Sequence, residues 1–370
     1  MNNNKLMMRN RFFIQVASLL LFLNILAAKA MVKEPDRVTK KRSISAFPIL
    51  IYDSDIGIGF GGKGVVKNHY HRDESFDLMI FFSTKGEQKY SFIFSCPDIE
   101  IRRGEKYDLA LDVKLEFNKL LKSNFFGIGN STINNEFQFP KESSKLEITL
   151  SRAFSKSLVA ELFFRTYHFS IYGYNPAWGT LNTSISGVGE SGISSVSLKL
   201  LYDTRDSHIN AKNGVRVGVT ADRAFRFPGT HFSFSKIRLE SNYYRQLFGW
   251  KPVMAFRIWM EGIQGEAPFY ELCRIGDGWT ARGYKADRFI DKTMMLSTLE
   301  YRVPLFRKIG SVIFIDAGRV WPSVSKWSFT NWHANVGVGL RYYLENFVAR
   351  FDVGFSSEGT RIFFNFGHVF

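Results

Sequence analysis

Alternation of apolar and polar residues with a period of two constrains this chain more than any other feature. It recurs in segments of about ten residues from residue 55 to residue 370. In the segment 107–117 one face carries Tyr107, Leu109, Leu111, Val113, Leu115 and Phe117. The other face carries Asp108, Asp112, Lys114 and Glu116. Because successive side chains of a strand point to opposite faces, each segment has one apolar and one polar face. The pattern predicts an all-β chain.

A soluble β-sandwich also alternates, but three features favour a closed sheet in a membrane. The segments approach the ~9–11 residues with which a tilted strand crosses a bilayer. Their polar faces carry charges of both signs, as the wall of a hydrated lumen would. The last segment is aromatic on its apolar face and ends at Phe370. Since an open sheet edge is not tolerated in lipid, we predict a transmembrane antiparallel β-barrel of about sixteen strands.

The composition and the absence of certain motifs argue against several classes of function. Aromatic residues make up 16% of the chain, yet the mean hydropathy of −0.11 is too polar for a helical membrane protein. The net charge of +15 suits nucleic acid or an anionic membrane. No base-reading motif occurs, so we expect outer-membrane lipid as a partner and no nucleic acid. The sequence also lacks a phosphate loop and a Gly-x-Ser-x-Gly motif. We therefore expect no enzymatic activity, no cofactor and no metal.

The first thirty residues have the layout of a secretory signal peptide. A basic head with Lys5, Arg9 and Arg11 precedes the uncharged stretch 12–28, and Ala28 and Ala30 offer small residues for cleavage. The alternative, a membrane anchor, is disfavoured because the apolar stretch falls short of the ~20 residues of a spanning helix. We predict a signal peptide at 1–30, a short periplasmic lead-in at 31–54 and a barrel at 55–370. The predicted location is the outer membrane of a bacterial cell.

Within the barrel the first strand is predicted at 55–67, the eleventh at 266–275 and the last at 360–370. Long connections are predicted at 118–143, 173–191 and 274–290. Long loops of such barrels lie outside the cell.

The third long connection carries Arg282, and the two strands after it each carry one acidic residue. If Tyr301 and Ile315 face lipid, then Glu300 and Asp316 face the lumen. The guanidinium of a loop folded into the lumen would then reach two carboxylates on adjacent strands. We predict a lumenal loop lock consisting of Arg282, Gly283, Tyr284, Glu300 and Asp316. Bracing of the loop without any further role is the alternative.

These motifs resemble the barrel signature of the BamA/TamA superfamily, also called the bacterial surface antigen family. The matching residues are Arg282-Gly283-Tyr284, Glu300-Tyr301-Arg302, Phe314-Ile315-Asp316-Ala317-Gly318 and Tyr202-Asp203-Thr204-Arg205-Asp206. The resemblance implies a sixteen-stranded barrel that inserts barrel proteins into the outer membrane or translocates polypeptides, with the braced loop supporting that activity. Family members normally carry POTRA modules, for which residues 31–54 have no room. A separate periplasmic partner, or an unfolded barrel protein as substrate, is therefore expected.

The end of the chain resembles the C-terminal assembly signal of the same family. The signal residues are Phe364, Phe366 and Phe370. We predict that this last strand closes the barrel against a first strand weakened by Gly57, Gly59 and Gly61. A passive solute pore or a structural barrel remains the alternative function.

Overall fold

A computed structural model describes residues 42–172, 181, 184–226, 230–249, 251–344 and 347–370. The predicted signal peptide at 1–30 lies outside these residues, as does most of the predicted lead-in. Among the described residues no helix is long and apolar enough to cross a membrane.

The chain folds into strands joined by loops and a few short helical turns. The first eight strands are β1 (Ser43–Asp53), β2 (Gly57–Lys67), β3 (Ser75–Ser83), β4 (Gln88–Cys96), β5 (Tyr107–Phe125), β6 (Phe137–Ala153), β7 (Leu158–Ser170) and β8 (Glu190–Asp203). The next five are β9 (Gly214–Phe225), β10 (Ser233–Gln246), β11 (Val253–Glu266), β12 (Cys273–Ile275) and β13 (Phe289–Asp291). The last five are β14 (Thr293–Phe306), β15 (Ile309–Trp321), β16 (His333–Tyr343), β17 (Val348–Ser356) and β18 (Gly359–Phe366). The helical turns are α1 (Ile99–Arg102) and the 3-10 turns Phe269–Glu271 and Val324–Lys326.

All strands except β12 and β13 form one closed antiparallel barrel. Each strand pairs with its neighbours in the chain, β11 pairs with β14, and β1 meets β18. The barrel has sixteen strands, so the predicted fold class and strand number are confirmed. The strands β12 and β13 form a separate hairpin inside the connection 267–292.

One barrel strand was missed and one predicted strand was wrong, and the two errors cancel in the count. The barrel begins with β1 at Ser43, inside the predicted lead-in 31–54. The alternation there was missed because Phe47, Ile49 and Ile51 make the lumenal face apolar as well. The predicted eleventh strand, 266–275, is loop up to Cys273 and belongs to the hairpin rather than the wall. The predicted connection 118–143 is shorter, because β5 continues to Phe125 and β6 begins at Phe137.

The two ends of the barrel differ. The connections 126–136, 267–292 and 322–332 lie at one end, which we call the loop end. The opposite end, where β1 begins and β18 stops, is called the turn end. A cluster of buried apolar residues fills the lumen at the loop end; it includes Phe125, Phe139, Phe169, Phe269, Ile275, Tyr284 and Leu296. This core packs the loop 267–292 against the inside of the wall.

Candidate functional site

The loop 267–292 enters the lumen, and hydrogen bonds within the loop fix the turn that precedes Arg282. Asp277 Oδ1 accepts hydrogen bonds from the backbone N–H groups of Trp279 and Thr280, each at 2.7 Å, and from the Thr280 hydroxyl at 2.9 Å. A side chain that bonds to the backbone two and three residues ahead fixes a tight turn. The turn delivers the following residues, up to Arg282, to the strand wall.

Arg282 is fully buried and reaches three carboxylates. Its Nε and Nη2 atoms donate in parallel to the two oxygens of Asp316, each at 2.9 Å. Its Nη1 atom donates to Glu300 Oε1 at 2.7 Å and to Asp352 Oδ2 at 3.2 Å. The guanidinium carbon lies 3.4 Å from the centre of the Phe314 ring. The planar fork of arginine is suited to this geometry, because it can bind one carboxylate through two bonds and still donate to others.

Further buried charges surround these contacts. Glu300 accepts a hydrogen bond from Arg302 Nε at 2.8 Å. Asp352 accepts from Arg341 Nη1 at 2.5 Å and from Arg350 Nη1 at 3.3 Å. All of these side chains are at most 3% exposed. Since buried charges are tolerated only when paired and hydrogen-bonded, the arrangement forms one connected ionic network.

The sequence analysis missed the contribution of β16 and β17 to this network. A signal was present, since the alternation in 347–355 puts Arg350 and Asp352 on the polar face of their strand. Alternation cannot identify the loop that a lumenal residue meets, so Asp352 was not recognised as a partner of Arg282.

The electrostatic balance holds Arg282 in its charged form. Burial alone lowers the pKa of this guanidinium, but the charges of Asp316, Glu300 and Asp352 outweigh burial. The pKa of Arg282 is therefore raised above its ordinary value. Arg282 therefore enters these contacts as a cation.

Gly283 and Tyr284 complete the contact between loop and wall. A Cβ on Gly283 would lie 2.5 Å from Asn335 Cβ and 2.8 Å from Ser356 Cβ, so no larger residue fits without displacement. Ser356 Oγ donates to the Gly283 carbonyl at 2.7 Å, and the Tyr284 hydroxyl donates to the Ala334 carbonyl at 3.1 Å. On the wall, a Cβ on Gly354 would lie 2.2 Å from the Arg282 carbonyl oxygen. Because Gly283 and Gly354 have no side chains, the backbones of the loop and of the wall come into direct contact.

The mid-barrel motif does not take part in these contacts. Asp203 and Arg205 pair with each other at 2.8 Å, and the Arg205 backbone N–H donates to Asp203 Oδ1 at 3.1 Å. They lie at the end of β8 and in the following connection, at the turn end of the barrel. His208 Nδ1 also lies 3.5 Å from Asp203 Oδ2, and the Lys212 backbone N–H donates to Asp206 Oδ1 at 2.9 Å, so the motif braces the connection after β8.

The junction between β1 and β18, which we call the seam, is the weakest in the barrel. In the part of the chain that the structure describes, two register pairs join these strands, Tyr52–Phe364 and Asp53–Phe363. Eleven pairs join β1 to β2. The stretch from Ser43 to Ile51 has no register partner on the β18 side. The predicted closure against Gly57, Gly59 and Gly61 was wrong, because these glycines lie on β2.

The seam is short because the chain leaves the wall after β18. Gly367 has a φ of +86°, a left-handed conformation that glycine adopts without strain, and turns the chain inward. Phe364 and Phe366 stay on the lipid-facing side of β18, whereas the Phe370 ring lies in the lumen, 6.0 Å from the Tyr244 ring. Arg302 Nη2 donates to the Phe370 carbonyl at 3.3 Å. The predicted continuous strand 360–370 was therefore wrong for its last four residues, and Phe370 does not share a face with Phe364 and Phe366.

The lumen beside the loop contains a polar cavity of about 310 Å³. Its wall carries both signs of charge, including Arg165, Lys199, Asp222, Lys236 and Glu271. No group of three or more histidine, cysteine or acidic residues able to hold a metal ion occurs among the residues described.

Comparison with known proteins identifies the family. The model of the Omp85 superfamily domain matches residues 72–370. The chain belongs to the Omp85 superfamily. This is the family of the BamA/TamA barrels, so the predicted resemblance is confirmed. The matched region begins beyond β2, so the β1 side of the seam lies outside it.

Solved Omp85 barrels share the fold at low sequence identity. The crystal structure of BamA from Haemophilus ducreyi lacking POTRA domains 1–3 superposes with a TM-score of 0.65 at 13% identity, covering 89% of this chain and 70% of that one. CdiB from Escherichia coli gives a TM-score of 0.62 at 12% identity, covering 89% of this chain and 67% of that one. No curated protein matches the sequence. At these identities the likeness concerns the fold alone.

Proposed function

We propose that this Omp85 barrel acts in the insertion or translocation of polypeptides at the bacterial outer membrane, without enzymatic chemistry, and that the seam is where it engages them. The observation that carries the proposal is the contrast between two register pairs at the seam and eleven at the next junction. The proposed client is an unfolded barrel protein, delivered by a separate periplasmic partner.

An unpaired strand edge is a template for another strand. Along Ser43 to Ile51 the backbone groups that point away from β2 have no β18 partner, and each unsatisfied group in hydrocarbon costs several kcal/mol. Pro48 adds a C=O but no N–H to this stretch. An incoming strand that adds to this edge would satisfy them, which is the mode of recognition called β-augmentation. Association would therefore relieve an existing cost rather than require a closed ladder to be broken.

The side chains of β1 are suited to contact with both lipid and an incoming client strand. Ile44 and Leu50 point outward and are 67% and 56% exposed. Phe47, on the inward face, is 51% exposed beside the gap. Apolar residues on both faces allow the stretch from Ser43 to Ile51 to stay in the membrane when the seam widens, because the one acidic residue of β1, Asp53, lies at the paired end of the strand.

We further propose that the loop lock supports this activity by fixing the part of the wall that adjoins β18. Arg282 ties the loop to β14, β15 and β17 through Glu300, Asp316 and Asp352. Opening would then be confined to the strands next to the seam.

A passive pore is the second candidate, and the polar cavity of about 310 Å³ favours it. Conductance of the barrel in planar bilayers separates the two candidates. A porin gives large and stable openings, whereas a barrel occupied by a locked loop gives small and fluctuating ones.

The seam is tested by closing it with a disulfide. In a chain with Cys96→Ala and Cys273→Ala, the changes Tyr52→Cys and Phe364→Cys place thiols on a register pair across the seam. The matched control is Ile313→Cys with Val338→Cys, a lipid-facing register pair inside the continuous wall. Opposed Cβ atoms of antiparallel strands lie ~4.5–5.5 Å apart, close enough for cross-linking with small adjustment.

Both proteins are reconstituted in vesicles, and insertion of an unfolded outer-membrane barrel polypeptide is followed by protease protection. We expect the oxidised seam variant to insert the client at least ~10-fold more slowly than the control, with recovery on reduction. Equal rates for the oxidised seam and control variants would overturn the proposal.

A further inference from the structure

The connection 322–332, which we call the strap, lies on the outside of the barrel. It follows β15, whose lipid-facing row includes Ile313 and Ile315, 59% and 47% exposed. The alternation puts Trp321 on this same outer face, yet Trp321 is only 1% exposed. Its ring lies 6.2 Å from Trp327 and 6.0 Å from Trp332, both of the strap. The strap therefore covers Trp321 from the lipid side.

The strap also reaches across the wall. A Cβ built on Gly262 would lie 3.4 Å from Val324 Cγ2. Gly262 belongs to β11 and lies two residues after Met260, which is exposed on the outer face. Gly262 therefore also faces outward. Because β14 separates β15 from β11, the strap spans two strand spacings, about 10 Å. Thr293 of β14, which pairs with both Gly262 and Trp321, is buried underneath it.

The outward surface of the strap is apolar and basic. Phe329 is 77% exposed, Val324 68% and Trp327 38%, and the rings of Trp327 and Phe329 lie 4.1 Å apart. Lys326 in the strap is exposed. The strap contains no acidic residue.

We propose that the strap is a bilayer anchor that places Val324, Trp327 and Phe329 in the interfacial layer at the loop end of the barrel. Its surface continues the lipid-facing row of β15 and lies where that row stops being apolar, at Arg319. Tryptophan and phenylalanine at this height match the aromatic girdle of membrane barrels. Lys326 lies in sequence next to Trp327 of the apolar patch, where its ammonium would meet lipid phosphate groups. The inference does not rest on the proposed function, since a pore would use the same anchor.

The test compares two equally accessible positions at the loop end. Phe329→Cys places an environment-sensitive fluorophore on the strap, and Ile133→Cys places it on the connection 126–136, where Ile133 is 82% exposed. That connection bridges to the hairpin over the lumen through Gly129 and Ile290, and Asn130 Nδ2 donates to the Asn331 carbonyl of the strap at 2.9 Å. Ile133 therefore serves as a control at the loop end that is close to the strap but outside its apolar patch. Both proteins carry Cys96→Ala and Cys273→Ala and are reconstituted in phosphatidylethanolamine–phosphatidylglycerol vesicles.

A nitroxide-labelled lipid with the label near the headgroup reports contact. We expect the Phe329 probe to be quenched at least about twofold and the Ile133 probe to be unaffected, because interfacial aromatic positions lie at headgroup depth. A second variant, Gly262→Trp, fills the seat of Val324 and should reduce quenching at Phe329. Equal, water-like emission from both probes would contradict the bilayer anchor and would indicate that the patch binds a protein partner instead. Quenching that Gly262→Trp leaves unchanged would show that the strap does not depend on its seat on β11.

Discussion

The wall from β14 to β17 and the seam between β1 and β18 are built from the same kind of strand but are held in opposite ways. Thirteen register pairs join β14 to β15, against two at the seam. The wall also carries the buried network around Arg282, whereas the free stretch of β1 has only apolar and small residues. The comparison shows that the barrel concentrates its stabilising contacts in β14 to β17 and leaves a short junction only one strand away, beyond β18.

The largest expected effect comes from removing the centre of the wall network. Arg282→Ala leaves Glu300, Asp316 and Asp352 without their shared donor. Breaking a buried ion pair costs ~3–5 kcal/mol, and these four side chains are fully buried. We expect the loop 267–292 to become sensitive to protease and client insertion to fall, while the barrel still assembles in the membrane. Limited proteolysis and heat-modifiability on gels measure the two properties separately.

Arg274→Ala is the matched control for this change. Arg274 belongs to the same loop and pairs with Asp287 at 2.9 Å, but its side chain is 35% exposed. A partly exposed pair contributes little. If Arg274→Ala loosened the loop as much as Arg282→Ala, the burial of the network would not be what holds the loop.

The contacts of Arg282 should also behave as one unit. Because Glu300 and Asp316 act through the same guanidinium, Glu300→Gln with Asp316→Asn should add little to Arg282→Ala. Arg282→Lys should rescue poorly, since an ammonium cannot donate in parallel to Asp316 and also reach Glu300. A double-mutant cycle on loop protection measures the coupling. Simple additivity would mean that these residues do not share an interaction, and the loop lock would be abandoned.

Hydrogen exchange sharpens the comparison without any mutation. Backbone amides from Ser43 to Ile51 lack β18 partners, whereas those of β15 pair on both sides. Local opening free energies range from about zero to the global value, so we expect exchange in the free stretch at least ~100-fold faster than in β15. Mass spectrometry of the barrel in nanodiscs measures both regions at once. Uniform protection around the barrel would contradict an open seam.

A smaller effect is expected where the seam strand meets the wall network. The Phe370 ring contacts Tyr244 and lies 5.3 Å from the Arg302 guanidinium, which in turn binds Glu300. Phe370→Ala removes a partly buried ring and should cost ~1–2 kcal/mol, less than a full core deletion. We expect Val369→Cys to become accessible to a thiol reagent in this background.

Phe366→Ala removes the same ring from the lipid-facing side of β18 and serves as the control. Equal accessibility of Val369→Cys in both backgrounds would show that the Phe370 contact does not hold the chain in the lumen.

The predictable part of the structure was the part governed by alternation. The inward positions of Glu300 and Asp316 follow from the lipid-facing residues beside them. The number of strands came out right because the missed β1 and the wrongly predicted strand 266–275 cancel. Alternation did not reveal β1, whose two faces are both apolar, or the inward turn at Gly367. It also gave no account of Asp352, because contacts between a loop and a distant strand depend on how the loop packs. Alternation therefore predicted the strands that have one lipid-facing and one lumenal face. It did not predict the seam or the contacts between loop and wall.

The inward turn at Gly367 gives the open edge a polarity. The two register pairs of the seam lie at the loop end, next to the turn at Ser54, so the gap widens toward the turn end. Any strand that adds antiparallel to the free stretch of β1 must run in the direction of β18, with its carboxyl end at Ser43. The barrel therefore discriminates between the two orientations of an incoming chain, and a segment presented in reverse would have to pair in the less stable parallel arrangement.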